Sequence, residues 1–313
     1  MGPIVIESDD LRLVLNGNLG GGVARLDLRD SHGAWCPLWR PSPQHPSHFN
    51  DLAMYLLAPW SNRIQGPSVP FGDRRVDLRP DWPDGTAIHG CVKDRPFRLL
   101  DRSPVSARLA FDSREHEDLN WPMPFRVTIR YEVDGPALHI ESVLTHAPSG
   151  ATPPSRSRMP AGLGFHPFFM RTLWAEDQVH LRVPVTARYP AERMLPTGSA
   201  AEDATVRALR HGVPVADLAL DDCFLGSLDG AEITYPASRV RLTLNATPTC
   251  THTVLYTGGE PAPETPLAFF CLEPVTVLNN GFNLRDRGWD DGVVDLAPGA
   301  SVQAGFSLRI ERF

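Results

Sequence analysis

Apolar and polar residues alternate with a period of two along much of this chain. Leu11, Leu13 and Leu15 alternate with Arg12, Val14 and Asn16, and Val127, Ile129, Tyr131 and Val133 alternate with Thr128, Arg130 and Glu132. The second run ends at Asp134-Gly135, beyond which Leu138, Ile140 and Leu144 resume the pattern, predicting a hairpin. Val240, Leu242 and Leu244 repeat it, as do Val302, Ala304, Phe306, Leu308 and Ile310. Successive strand side chains point to opposite faces, so each run predicts a strand with one face in a core and the other in water. Helical periodicity is weak, and its best candidate, Glu202 to Leu209, is short. Proline, at 31 of 313 residues, is used about twice as often as average and works against long helices. Many strands with turn residues between them predict an all-β sandwich with negligible helix.

The pattern continues on both sides of the Pro/Ser/Arg-rich stretch Ala147 to Pro160, which reads as a loop rather than a linker. Residues 1–313 are therefore expected to form one domain. Gly20-Gly21-Gly22 is not followed by the Gly-Lys-Ser/Thr of a phosphate loop and reads as a turn between strands. Five dispersed cysteines without Cys-x-x-Cys spacing argue against a disulfide framework or a structural zinc site, and buried free thiols in a reducing cytoplasm account for them. The net charge of −7, with signs intermixed and no basic stripe, argues against nucleic acid as a partner. The start MGPIVIESDDLRL lacks the basic-then-apolar order of a secretory signal. The longest apolar stretch, around Leu52 to Trp60, is too short to cross a bilayer. A soluble, cytoplasmic monomer or homodimer without a membrane partner is the expectation.

Three separated segments carry residues suited to acid–base chemistry near neutral pH: His89 in IHGCVKDRPF, His166 in GLGFHPFF and Glu273 in FFCLEPVT. Gly162 and Gly164 permit close backbone approach, and Pro167 holds the chain extended after His166. Phe165, Phe168 and Phe169 supply an apolar surround, and Phe168 a possible stacking face for a sugar ring. Glu273 ends an apolar strand, where burial raises a carboxyl pKa and makes a better base. Against these stand plainer readings: a histidine satisfied inside a β-core, and a strand-end glutamate facing water. Two imidazoles and a carboxylate can also hold a transition metal, so His89, His166 and Glu273 form a rival metal set, although no His-Glu-x-x-His spacing supports it.

With Ala58 to Ile64 (APWSNRI) placed before them, the four segments in this order resemble the aldose 1-epimerase (galactose mutarotase) family. The resemblance implies a large antiparallel β-sandwich with a sugar site in a cleft on one sheet. It implies cofactor-free interconversion of the anomers of an aldose, with a monosaccharide as substrate and no metal. It further implies His166 as the general acid at the ring oxygen, Glu273 as the base, and His89 and Arg63 as sugar ligands with Asn62 orienting Arg63. Asp221 in LDDCF resembles the family's hydroxyl-binding aspartate; its neighbour Asp222 is the alternative, since an alternating strand points the two to opposite faces and only one can serve the site. Trp121 in WPMPF either walls the site or packs nearby.

The chain departs from the family in two places. Phe168 occupies the position two residues after the histidine where a phenol is often found. The run His89-Gly90-Cys91-Val92-Lys93 is similar to that of the hexose-6-phosphate epimerase branch, which places Lys93 and Arg95 to meet a phosphate, with Asp94 opposing. Free sugar is favoured, with a hexose-6-phosphate 1-epimerase and a non-catalytic carbohydrate-binding protein as the alternatives.

Overall fold

The alternating runs form strands. Those flanking Gly135 become Phe125–Asp134 and Ala137–His146, antiparallel, with Asp134 opposite Ala137. Phe125, Val127, Ile129, Tyr131 and Val133 are buried, while the residues between them are exposed or half-buried. The structure is a computed structural model and describes residues 2–71, 74–147, 158–259 and 267–313. Residues 148–157 of the Pro/Ser/Arg-rich stretch lie outside the described residues.

Nine strands form the larger sheet, in the order Arg98–Arg102, Ser106–Asp112, Phe125–Asp134, Ala137–His146, Ser301–Arg312, Val240–Ala246, Ala231–Tyr235, His180–Arg182 and Val213–Pro214. The C-terminal run thus lies inside the sheet, between strands from either side of residues 148–157. A seven-stranded sheet runs Ala187–Arg188, Asp221–Leu225, His252–Tyr256, Phe269–Val275, Gly164–Phe165 and Leu56–Leu57, with Phe168–Met170 also paired to Phe269–Val275. The main apolar cluster fills the space between the two sheets. Phe165 meets Phe306 with ring centroids 5.4 Å apart, and Trp39 contacts both Phe169 and Phe306.

A four-stranded sheet holds Ile4–Glu7, Leu11–Asn16, Gly22–Arg29 and Trp35–Pro37. Gly20 and Gly21 turn between its second and third strands at φ +63° and +56°, a region that favours glycine, while Gly22 already opens the third strand, opposite Asn16. The short helix is Ala204–His211, beginning later than its periodicity predicts because the Asp203 side chain caps it by accepting from the Val206 amide. A one-turn helix, Gly281–Leu284, has no counterpart in the sequence reading. All five cysteines are free, and all but Cys36 are buried. Among the described residues, no helix is long and apolar enough to cross a membrane.

Candidate active site

The seven-stranded sheet has two dissimilar faces, and alternation decides which residue goes where. Phe165, Phe169, Phe224, Leu255, Phe270 and Leu272 join the main core. The opposite face carries His166, Phe168, Asp221, Tyr256 and Glu273, which line a cleft of about 280 Å³. Gly162 and Gly164 let neighbouring chain approach closely. A Cβ on Gly162 would lie 1.9 Å from the Val277 side chain, and one on Gly164 2.8 Å from that of Val275. The Gly164 strand is thereby seated between Leu57 and Val275, and the His166 amide donates to the Tyr55 carbonyl at 3.1 Å.

His166 Nε2 and Glu273 Oε1 stand 3.2 Å apart, and both residues are buried. His166 Nδ1, Glu273 Oε2 and His89 Nδ1 are buried without a hydrogen-bond partner among the described residues. Such orphaned polar atoms cost stability unless a ligand or water meets them. Burial pushes His166 down to about 3, with the Arg40 and Arg63 charges acting the same way. Burial pushes Glu273 well above the carboxylate range, and the Asp221 charge adds to this while Arg63 opposes it. Tyr55 and Phe168 rings pack on the imidazole at centroid distances of 4.9 and 4.5 Å.

His89 stands edge-on to His166, with centroids 5.2 Å apart, and its imidazole is held neutral chiefly by burial. Its backbone is left-handed at φ +59°, facing the left-handed Asn62 at +51°, whose carbonyl accepts from the His89 amide at 2.8 Å. Gly90 permits this turn, because a Cβ there would sit 2.0 Å from the Ala58 carbonyl oxygen. Lys93 secures it. Its Nζ donates to the carbonyls flanking His89, Ile88 at 2.7 Å and Gly90 at 2.8 Å, and to Asp81 at 2.7 Å. Arg63 reaches the cleft between Asp84, 2.8 Å from Nε, and Asn62, 3.3 Å from Nη1. Asp221 is pushed up to about 6 by burial, against the pull of Arg63. Asp222 turns away toward Arg188, 3.6 Å distant.

Several expectations need correction. Trp121 does not line the cleft; its ring is drawn into the core beside Trp60 and Phe282. Lys93, which the sequence placed to meet a phosphate, is buried, and its three donors are engaged in holding the His89 turn. Arg95 also lies outside the cleft. Among the described residues, the side chains whose donor atoms converge within 4.8 Å are His166, Cys271 and Glu273, so Cys271 stands where the rival metal set had His89. Burial holds the Cys271 thiol well above its usual pKa, so it stays protonated.

The sequence reading missed Arg40, Asn50, Trp82, Tyr256 and Phe269, all of which line the cleft, and Tyr55 beneath it. The Arg40 guanidinium lies 3.9 Å from the Phe168 ring centre and donates to the Asn50 and Leu52 carbonyls. Its backbone amide donates to the Phe168 carbonyl at 2.7 Å, a pairing between remote segments that leaves no local pattern. Tyr55 sits in the longest apolar stretch, where it registers only as hydrophobic.

Two packed antiparallel sheets with a polar cleft on one of them define a protein of the galactose mutarotase-like fold. The aldose 1-epimerase family model matches residues 4–309, and the chain belongs to that family. Similar solved structures include a protein from Escherichia coli K12 that carries an aldose 1-epimerase name, at 21% identity and a TM-score of 0.82, covering 100% of this chain and 99% of that one. A galactose mutarotase-like protein from Clostridium acetobutylicum is 18% identical with a TM-score of 0.81, covering 99% of this chain and 95% of its own. The GalM/aldose epimerase homologue from C. elegans is 16% identical with a TM-score of 0.79, covering 99% of both chains. No curated protein matches the chain.

Proposed function

We propose that this protein is a cofactor-independent aldose 1-epimerase acting on free sugars, with His166 and Glu273 as the proton-transfer pair. The observation that carries this reading is the buried 3.2 Å contact between the two, opening on a cleft where each has a polar atom unmet. In the minor protonation state of the pair, Glu273 as carboxylate takes the proton of the anomeric hydroxyl while His166 as imidazolium gives one to the ring oxygen. The bond from the anomeric carbon to the ring oxygen breaks, leaving an aldehyde. Rotation about the adjacent carbon–carbon bond presents the other face, and closure returns both protons. After opening, His166 is neutral and Glu273 protonated, which is the distribution that burial favours for the pair. Arg63, His89 and Asp221 hold hydroxyls, and Phe168 offers a ring face. The engagement of Lys93 favours free sugars over hexose 6-phosphates.

NMR detection of anomer exchange tests the reading. Activity is expected on at least one free aldose and to survive chelation. Glu273→Gln and His166→Asn should each cut turnover by roughly 10² or more, and the double variant should lose little beyond either one. A folded Glu273→Gln variant with near-normal exchange would refute the mechanism.

A further inference from the structure

Asp221 faces two hollows. One is the cleft; the other is a groove of about 730 Å³ whose walls include Arg188, Arg193, Met194, Asp203 and Asp222. We propose that this groove is a subsite for a second, neutral glycosyl unit, so that the protein acts at the reducing end of a disaccharide or longer saccharide. This rests on the epimerase reading above.

The sheet sets the direction. Asp221 lies two strands across from Phe269–Val275, which carries Glu273, a lateral separation of about 10 Å at the usual strand spacing. A pyranose with its anomeric carbon at Glu273 therefore turns its opposite hydroxyls toward Asp221. A glycosidic bond at that end leads out of the cleft and into the groove. The cleft alone lies near the low end of small-ligand pockets, which run from about 300 to 1,000 Å³, whereas the groove adds ample room.

The chemistry of the walls selects the occupant. Three carboxylates (Asp203, Asp221 and Asp222) face two guanidiniums, and Arg188 is already engaged by Asp203 at 2.7 Å. That balance offers hydrogen-bond acceptors to hydroxyls and repels an anionic sugar. Arg193 has no carboxylate partner among the described residues and supplies donors, while Met194 supplies an apolar edge. Both belong to the turn of the hairpin Ala191–Glu192 and Leu195–Pro196, at φ +48° and +69°. The Met194 carbonyl accepts from Asn279 Nδ2 at 3.2 Å, which fixes the hairpin to the chain that follows Glu273.

Anomer exchange on glucose and galactose, and on maltose, cellobiose and lactose, tests the proposal. Wild-type kcat/KM for at least one disaccharide is expected to exceed that of its reducing-end hexose by about tenfold. Ala191→Trp, which drives an indole into the groove from an exposed hairpin position, and Arg193→Ala should bring that value down to the hexose level. Both should leave the hexose value unchanged. Disaccharides no better than hexoses, or variants that lower both alike, overturn the subsite. Calorimetric titration of Glu273→Gln with maltose, cellobiose and lactose against their hexoses separates the two readings. If no sugar exchanges anomers, the epimerase reading fails, yet tighter binding of a disaccharide still upholds the groove, and equal or weaker binding overturns it.

Discussion

An imidazole and a carboxyl in contact ordinarily form an ion pair near neutrality, but burial reverses the preference here. Because burial penalises both charged forms, His166 falls to about 3 and Glu273 rises well above its usual range. The one proton of the unliganded pair therefore resides on Glu273. As pH falls, His166 is the group that gains the second proton; as pH rises, Glu273 is the group that loses the first. The acidic limb of kcat/KM should thus report His166 and the basic limb Glu273, the reverse of what ordinary pKa values give. Nitrogen-15 spectra of the unliganded protein should show His166 neutral at pH 7 and still neutral near about pH 4. An imidazolium at pH 7 would overturn this assignment. The sequence displays the residue types of this pair, and its apolar flanks display their burial. It does not display that the two touch, because that depends on pairing between Phe168–Met170 and Phe269–Val275.

At the scale of the element, the His89 turn is strained backbone held from two sides. Gly90→Ala places a Cβ on the Ala58 carbonyl at a left-handed position, so thermal melting should show a loss of about 3 kcal/mol or more. Lys93→Met leaves the Ile88 and Gly90 carbonyls without their donor, and unmet buried groups of this kind cost about 1–3 kcal/mol each. Its activity loss should be equal for a hexose and its 6-phosphate, since Lys93 acts on the turn. A loss confined to the phosphorylated substrate would restore the phosphate role. Strands of this molecule were legible wherever one face meets water, as in Phe125–Asp134. Phe269–Val275 is buried along nearly its whole length, so no alternation marks it. Irregular segments such as that of Arg40 acquire their places only from remote hydrogen bonds.

At the scale of the whole molecule, the strand Ser301–Arg312 pairs with Ala137–His146 on one side and Val240–Ala246 on the other. Its Phe306 reaches across to Phe165, next to His166. We therefore expect the chain to behave as one unit: a protease site engineered into residues 148–157 should give, after cleavage, two fragments that co-elute and retain activity. Fragments that separate and remain folded without denaturant would mean two independent domains.

The position of that strand also sets the order of events during synthesis. Translation runs from the N-terminus, so Ala137–His146 and Val240–Ala246 leave the ribosome well before the segment that joins them. Each of them is, for that interval, an edge with unpaired amides and carbonyls, the kind of surface on which nascent chains associate wrongly. That exposure ends when residues 301–312 emerge and close the gap.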